Sequence, residues 1–262
     1  MNKQEKVKAK GLRKYFKVGS KIVKAVDGID ILISEAEIWA LVGESGSGKS
    51  TLGKLILKLI DPDEGKIFFN GIDITEFNKE QMRPLRRKMQ MVFQDPFTTF
   101  NPIYKVGNQI FEAVKFHKVV DPSSVEDYVV QLMRIVALNP DILKKYPSQL
   151  SGGQLQRCAI VRAIALQPEF LVCDEIVSAL DVSIQVQIIE LLKILKDEFN
   201  LTILFITHDI GVARRVADKA FVMKAGKIVE SGIIEKIFYE PDNEYTKRLL
   251  SSVLSIKTQK KL

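Results

Sequence analysis

Residues 43–50 have the composition and spacing of a phosphate-binding loop. They fit the pattern GxxxxGK[ST] with, in order, Gly43, Glu44, Ser45, Gly46, Ser47, Gly48, Lys49 and Ser50. Successive backbone N–H groups in such a loop form a nest for phosphate oxygens, and the helix that follows adds the partial positive charge of its N-terminus. We therefore predict that Lys49 contacts β and γ phosphates, that Ser50 binds Mg²⁺ and that Thr51 donates to an α phosphate.

Two adjacent carboxylates, Asp174 and Glu175, follow the apolar run at residues 170–173. The run predicts a buried strand, and its C-terminal end is where α/β folds bind their ligands. Phosphoryl transfer requires one group that holds the metal and another that orients the attacking water. We predict that Asp174 holds Mg²⁺ and that Glu175 polarises the water. The pair alone is a weak signal, but its position downstream of a phosphate-binding loop makes it a strong one.

Apolar runs that alternate with helical stretches predict an α/β fold around a parallel sheet. Before the loop, strands are predicted at residues 22–33 and 38–42. After it, a helix is predicted over about residues 48–60. Further strands are predicted at residues 170–173, 202–206, 220–223 and 227–229, with two helices completing the chain. Between about residues 101 and 166 the pattern becomes helical, with breaks at Pro102, Pro122, Pro140 and Pro147.

The composition is typical of a soluble globular protein, and the net positive charge suits an anionic partner. The 262 residues are 46% hydrophobic and 27% charged, and no apolar run approaches the roughly 18 residues of a membrane span. Lys and Arg total 39 against 32 Asp and Glu, so nucleotide, nucleic acid and anionic lipid all remain possible partners. The N-terminal decapeptide lacks an apolar segment, so we expect no secretory signal and a cytoplasmic location. We interpret Cys158 and Cys173 as buried packing residues.

The pentapeptide LSGGQ at residues 150–154 lies between the loop and the Asp-Glu strand. Ser151 is a good helix N-cap, and Gly152 and Gly153 let backbone N–H groups approach an anion closely. In this setting the pentapeptide resembles the signature of ABC-type ATPases. Other motifs of that family follow in the family's order: Gln94 in QMVFQDP resembles the Q-loop, Asp181 in SALD the D-loop, and His208 in FITHD the switch histidine.

The resemblance implies an α/β P-loop NTPase core with a mixed, largely parallel sheet, an N-terminal antiparallel β subdomain and an inserted α-helical subdomain. The chain is then a single ABC ATPase domain. Its core and β subdomain take up about residues 1–95 and 167–240, its helical subdomain about 96–166, and a C-terminal helical tail about 241–262. Phe16 matches the aromatic residue that stacks on adenine in the family, with Tyr15 as the alternative.

The same resemblance implies a head-to-tail dimer with two shared sites for ATP and Mg²⁺. The elements expected to reach the nucleotide bound by the neighbouring subunit are Ser151, Gly152, Gly153, Gln154 and Asp181. Glu175, His208 and Gln94 are the expected catalytic residues. Ser50, Gln94 and Asp174 are the expected metal-binding residues.

Longer segments narrow the resemblance to the ATPase subunits of oligopeptide, dipeptide and nickel importers. They are VGESGSGKSTLGK, QMVFQDPFTTFNP, SALDVS and MKAGKIVESG. The implied partners are permease subunits that dock on residues 95–102 and the helical insertion, a second ATPase subunit, preferably a non-identical one, and indirectly an extracytoplasmic solute-binding protein. The implied location is the cytoplasmic face of the membrane. Peptides are the favoured solute, with nickel, other metal chelates and oligosaccharides as alternatives.

Three positions depart from the family pattern. Ile176 and Val177 replace the usual Pro-Thr, and loss of the fixed proline φ is expected to make this turn more mobile and leaves the hydrolysis rate in doubt. Residues 242–244 lack the usual His-Pro before Tyr-Thr. The sequence also has no cysteine-rich tail, so we predict no iron–sulfur cluster.

Two functions other than the ATPase subunit of an importer are compatible with parts of the sequence. A nucleic-acid-associated ABC ATPase would account for the net charge of +7. Such relatives carry long coiled coils or two cassettes, but residues 50–151 have no sustained heptads and the chain has one phosphate-binding loop, so no nucleic acid partner is expected. A regulatory ATP-binding subunit with poor hydrolysis would account for Ile176 and Val177.

Overall fold

The computed structural model describes the backbone of residues 4–259 and the side chains of residues 4–251. The strands of this described part are β1 (Glu5–Val18), β2 (Lys21–Ser34), β3 (Ile38–Val42), β4 (Glu64–Phe69), β5 (Ile72–Asp73), β6 (Met89–Val92), β7 (Phe170–Asp174), β8 (Thr202–Thr207), β9 (Lys219–Lys224) and β10 (Lys227–Ile233). The α-helices are α1 (Lys49–Ile56), α2 (Lys79–Lys88), α3 (Pro96–Thr99), α4 (Val106–Phe116), α5 (Val125–Ile135), α6 (Gly152–Ile164), α7 (Val182–Phe199), α8 (Ile210–Val216), α9 (Ile234–Tyr239) and α10 (Glu244–Gln259).

The strands form two sheets. One is antiparallel, with the order β2-β1-β4-β5, and contains the long N-terminal hairpin. The other has six strands in the order β10-β9-β3-β8-β7-β6, and all of its neighbours are parallel except the β9–β10 hairpin. The predicted α/β class, with a mixed sheet in the core and an antiparallel β subdomain at the N-terminus, is confirmed.

Strand β3 is buried on both faces, and this divides the apolar core into two layers. Ile38, Ala40 and Val42 face the core that includes α4 to α8. Trp39 and Leu41 face the other core, which contains α1 and the antiparallel sheet. A strand covered on both sides is expected to be apolar at every position, as β3 is. The prediction that Cys158 and Cys173 are buried is also confirmed.

Residues 93–169 contain helices and no strand. The insertion runs from α3 to α6, and Pro122, Pro140 and Pro147 each begin a short 3₁₀ helix rather than simply ending a helix. The helices agree with the predicted helical insertion. Proline is tolerated in the first turn of a helix because the N–H that it lacks would have no hydrogen-bond partner there. No helix in the described part of the chain has the length and apolarity needed to cross a bilayer.

The helix that follows the loop is shorter than predicted. It ends at Ile56 instead of residue 60, because Lys58 adopts φ 53° and its N–H bonds to the carbonyl of Leu55 in a tighter turn. Leu57 is buried and Ile60 packs against the same core, so the apolar pattern continues beyond the end of the helix. This continuation is why the sequence predicted a longer helix. Strands β1, β4, β5 and β6 and helix α2 were not among the predicted elements.

Parallel strands gather the site residues at one edge of the large sheet. Val42 pairs with Thr207, so the end of β3 lies beside the end of β8. Asp174 at the end of β7 pairs with Ile206, and Val92 of β6 pairs with Cys173. The residues that follow these four strands therefore share one edge, as expected for ligand binding in an α/β sheet.

Glu169, just before β7, joins the two sheets through a partly exposed charge network. Its carboxylate accepts hydrogen bonds from Asn70 Nδ2, in the β4–β5 turn, at 2.7 Å and from Lys6 Nζ, in β1, at 3.2 Å. It also forms an ion pair with Lys88 Nζ at 2.8 Å. Burial disfavours the carboxylate, but the hydrogen bonds from Lys88, Asn70 and Lys6 outweigh it and lower the pKa of Glu169 to about 2. The charged form therefore stabilises the contact between the sheets.

We predict that Glu169→Gln lowers the free energy of unfolding at pH 7 by about 1 kcal/mol, a value reduced from the full pKa shift because the side chain is partly exposed. A lowered pKa stabilises the fold above the unfolded value of about 4.3, and this contribution is lost as the pH falls toward 2. Urea unfolding of both proteins should therefore show a difference that shrinks over this range. Glu5→Gln, which removes an exposed carboxylate paired with Lys8 within β1, is the control. A difference that is independent of pH would contradict the assignment.

Candidate functional site

The phosphate-binding loop connects β3 to α1 and is held closed by its own lysine. The Lys49 side chain is 4% exposed, and its Nζ donates to the carbonyl oxygens of Gly43 and Glu44, both at 2.9 Å. Burial lowers the pKa of Lys49, and the nearby carboxylates of Glu175 and Asp174 oppose this effect. Gly48 has φ 107°, and a Cβ atom there would lie 1.9 Å from the carbonyl oxygen of Ala25. The loop therefore requires glycine at this position.

The β9–β10 turn supports the loop from outside. The N–H of Gly226 donates to the carbonyl oxygen of Ser47 at 2.9 Å, and the carbonyl oxygen of Gly226 accepts from the N–H of Asp27 at 2.8 Å. Gly226 has φ 81°, and a Cβ atom there would lie 2.5 Å from the carbonyl oxygen of Lys24. The turn thus fits between the loop and β2 and fixes the distance between them.

Ser50 and Asp174 form a pair of oxygen ligands beside the loop. The Ser50 hydroxyl donates to Asp174 Oδ1 at 2.9 Å. Neighbouring oxygens around octahedral Mg²⁺ at 2.0–2.1 Å lie about 2.9 Å apart, so these two groups fit the ion they were predicted to hold. Burial raises the pKa of Asp174, opposed by the hydrogen bond from Ser50, and a bound cation would favour the charged carboxylate.

Glu175 is the point at which the predicted catalytic residues meet. Its Oε2 lies 3.3 Å from His208 Nδ1 and 3.4 Å from Gln94 Nε2, and its Oε1 lies 3.8 Å from Lys49 Nζ. Its backbone adopts φ 49°, which is unusual for glutamate, and its N–H donates to the carbonyl oxygen of Ile206 at 3.0 Å. The strained backbone directs the carboxylate toward the loop instead of along the strand.

The turn after Glu175 is packed in spite of the missing proline. Ile176 and Val177 are 2% and 3% exposed and belong to the main core. The N–H of Ser178 donates to the carbonyl oxygen of Glu175 at 3.1 Å, and that of Leu180 donates to Val177 at 3.2 Å. Apolar burial here restricts the same backbone that proline would have fixed.

A cavity of about 830 Å³ lies over the loop. Its lining contains many of the predicted site residues: Phe16, Ser45, Gly46, Gly48, Lys49, Ser50, Thr51, Gln94 and Glu175. Gly43, Glu44 and Ser47 are part of the loop but do not line the cavity. The other lining residues are Val18, Ile22, Val23, Lys24, Ala25, Ala225 and Gly226, which sequence reasoning did not assign to the site. The motif MKAGKIVESG contains the last two and was the only sequence signal for any of them.

Phe16 and Tyr15 occupy different environments. Phe16 is 39% exposed on the cavity wall, whereas the Tyr15 hydroxyl donates to Asp27 Oδ1 at 2.6 Å and Tyr15 does not line the cavity. The exposed ring of Phe16 is thus the one available for stacking. That it stacks on adenine remains a prediction.

The Ser-Gly-Gly corner, which we define as residues 151–154 at the start of α6, lies outside the cavity. The N–H of Gln154 donates to Ser151 Oγ at 3.3 Å, and Gln154 Oε1 accepts from the N–H of Ser151 at 3.1 Å. This reciprocal pair caps α6, as the N-cap interpretation of Ser151 requires. None of the residues 151–154, and not Asp181 at the start of α7, lines the cavity of the same chain. The structure therefore brings together the loop, the metal pair and Glu175, but not the corner.

Comparisons with known proteins agree with this architecture. A family model described as "ABC transporter" matches residues 26–178. The oligopeptide transport ATP-binding protein OppF of Streptococcus mutans is 43% identical over 254 residues, which cover 96% of this chain and 82% of that protein. The oligopeptide transport ATP-binding protein AppF of Bacillus subtilis is 41% identical over 260 residues, covering 96% of this chain and 79% of AppF.

Solved structures with the same fold include two ABC proteins. The dimeric post-hydrolysis state of the ATP-binding cassette MJ0796, bound to ADP and Pi, has a TM-score of 0.80 at 30% identity, covering 87% of this chain and 98% of the other. The structure of cbiO1 from Clostridium perfringens, part of the ABC transporter complex cbiONQ, has a TM-score of 0.79 at 26% identity and covers 99% of this chain and 100% of the other.

We predict that Gly226→Ala weakens nucleotide binding about tenfold or more, because the new Cβ pushes the turn away from Lys24 and breaks its hydrogen bond to the loop. Gly71→Ala is the matched control, since Gly71 also has a left-handed φ, of 77°, but its Cβ would meet nothing within 4 Å. Titration of a fluorescent ATP analogue measures both affinities. Equal affinities in the two variants would show that the turn does not position the loop.

Proposed function

The chain belongs to the ABC transporter family, and we propose that it is the ATP-hydrolysing subunit of a membrane importer for peptides. The observation that supports the hydrolytic role is the contact of Glu175 with His208, Gln94 and Lys49. Glu175, Gln94 and Lys49 line the cavity over the phosphate-binding loop. Each arrives from the end of a different element, so their proximity is a product of the fold.

The proposed reaction is attack of water on the γ phosphorus of ATP. A new P–O bond forms, the bond to the β–γ bridging oxygen breaks, and ADP and phosphate leave. The Glu175 carboxylate accepts the proton of the water as general base. Gln94 and His208, which contact the same carboxylate oxygen, orient it and the water. Lys49 uses two of its three N–H donors on the loop carbonyls and binds the β and γ phosphates with the third.

Ser50 and Asp174 are the residues proposed to hold Mg²⁺, as their separation of 2.9 Å supports. When bound, the ion would neutralise negative charge on the β and γ phosphates. Gln94, the third predicted metal-binding residue, lines the cavity over the loop, as Ser50 does. Phe16 supplies stacking for the base, which contributes affinity with little selectivity among bases.

Peptides are proposed as the transported solute because OppF and AppF are named oligopeptide transport ATP-binding proteins. Nickel, other chelates and oligosaccharides were the alternatives from sequence. The solute itself would contact the permease and the extracytoplasmic binding protein and not this chain, so the assignment rests on similarity to the relatives.

The proposed partners are a second ATPase subunit and the permease. A second subunit is supported by the position of Ser151 to Gln154 outside the cavity of their own chain and by the dimeric state of MJ0796. A permease surface is supported by exposed apolar side chains at and just after residues 95–102. Phe97 is 50% exposed, Ile103 is 75% exposed and Tyr104 is 56% exposed. The chain would then work at the cytoplasmic face of the membrane.

The two other functions considered from sequence gain no specific support. The regulatory role was suggested by Ile176 and Val177, but both are buried and Glu175 keeps its contacts with His208 and Gln94. The nucleic-acid role rested on net charge alone, to which phosphate binding and proximity to anionic lipid also contribute.

We predict that Glu175→Gln lowers ATP turnover of the assembled complex by about a hundredfold or more while changing ATP affinity less than about threefold, because the amide cannot accept the proton. Steady-state phosphate release and equilibrium nucleotide binding measure the two quantities. Lys49→Ala is the opposite case, since it removes the ammonium group proposed to bind the phosphates and should weaken ATP binding itself. Undiminished turnover in Glu175→Gln would remove Glu175 from the role of general base.

A further inference from the structure

A tyrosine from the C-terminal helix contacts the phosphate-binding loop. The phenol oxygen of Tyr245, in the first turn of α10, accepts a hydrogen bond from the N–H of Glu44 at 3.2 Å. The two residues are 201 positions apart, and Tyr245 is 6% exposed. Glu44 follows directly after the first glycine of the loop, so this contact joins the end of the chain to the start of the loop.

The N-terminus of α10 is fixed in place by β10. The N–H groups of Asp242 and Asn243 donate to the carboxylate of Glu230 at 2.9 and 3.2 Å, and Asn243 Nδ2 donates to the carbonyl oxygen of Val229 at 3.3 Å. Asn243 Oδ1 in turn accepts from the N–H of Tyr245 at 2.8 Å. This is the segment in which the sequence lacks His-Pro, and here asparagine orients the tyrosine by side-chain capping.

The ring of Tyr245 is also held by packing. It belongs to the main apolar core, and Lys224 Nζ lies 4.9 Å from the ring centre. Burial raises the pKa of Tyr245, so the phenol stays uncharged at neutral pH and retains its hydroxyl. Its oxygen therefore meets Glu44 from a fixed direction.

Glu44 links this contact to the lysine of the loop. Its N–H donates to Tyr245, and its carbonyl oxygen accepts one of the two hydrogen bonds that hold Lys49 Nζ. We propose that Tyr245 is a positioning residue for nucleotide binding, which sets the orientation of Glu44 and thereby the position of Lys49 at the β and γ phosphates. This inference rests on the proposed ATP site and adds to it a requirement for the docked C-terminal helix.

A role limited to anchoring α10 makes a different prediction. The hydroxyl would then contribute to folding stability alone, and its removal would affect all ligands of the folded protein equally. A positioning role affects ligands that reach Lys49, and spares AMP, which has no β phosphate. The two roles are therefore separated by comparing nucleotides that differ in phosphate number.

The test is Tyr245→Phe, which removes one oxygen and keeps the ring. Tyr128→Phe is the matched control, because the Tyr128 hydroxyl also forms one hydrogen bond with the backbone, in this case as donor to the carbonyl oxygen of Ala165, at the end of the helical insertion and away from the loop. Dissociation constants of ATP, ADP and AMP are measured by displacement of a fluorescent ATP analogue. Thermal unfolding without nucleotide is measured for all three proteins.

We expect the dissociation constants of ATP and ADP to rise about three- to tenfold in Tyr245→Phe, the equivalent of one lost hydrogen bond. The constant for AMP, and all constants in Tyr128→Phe, should remain at the wild-type values. Unchanged ATP and ADP affinity in Tyr245→Phe, or an equal loss for AMP, would overturn the positioning role while leaving the ATP site intact. Failure of the wild-type chain to bind ATP would overturn the proposed function and this inference together.

Discussion

The site depends on keeping a short glycine-rich loop in one conformation before any phosphate is bound. The loop presents backbone N–H groups that repel one another electrostatically unless an anion lies among them. Here it is stabilised from several directions: Lys49 binds its carbonyl oxygens, the β9–β10 turn binds Ser47, and Tyr245 binds Glu44. Two of these contacts come from the last third of the chain, so the nucleotide site is complete only when the C-terminal elements are docked.

The same arrangement supports the proposal that the reaction needs two chains. Within a chain, the parallel strands bring together Glu175, His208 and Gln94, the proposed base and its proposed orienting groups. The corner that begins at Ser151 caps α6 elsewhere, with its backbone N–H groups outside the cavity. Closing a neighbour's corner over the phosphates would bring its backbone N–H groups to the γ phosphate and exclude bulk water while retaining the attacking water. This closure is the event proposed to be coupled to a membrane partner.

Much of the site was predictable because its residues are set by local spacing. The loop, the Asp174-Glu175 pair and His208 each follow an apolar run, and β-strand pairing then brings the ends of those runs together. The residues that were missed act through long-range contacts. Tyr245 and Gly226 reach the loop from about 200 positions away, and Lys24, Val18 and Ile22 line the cavity only because the N-terminal hairpin folds over it. The motif MKAGKIVESG marks the segment around Gly226, but no local pattern shows which part of the loop or cavity any of these residues contacts.

The account is tested most directly by the effect of Ser151→Arg, which adds a long cation to the corner proposed to close over a neighbour's phosphates. The isolated chain should bind ATP within about twofold of wild type, because its own cavity does not contain Ser151. Turnover of the complex assembled with its partner subunits should fall about a hundredfold. Ser124→Arg, at an exposed position of the helical insertion, should change neither quantity. Full turnover in the Ser151→Arg complex, or loss of ATP binding by an isolated Ser151→Arg chain that still unfolds at the wild-type temperature, would contradict a site shared between two chains.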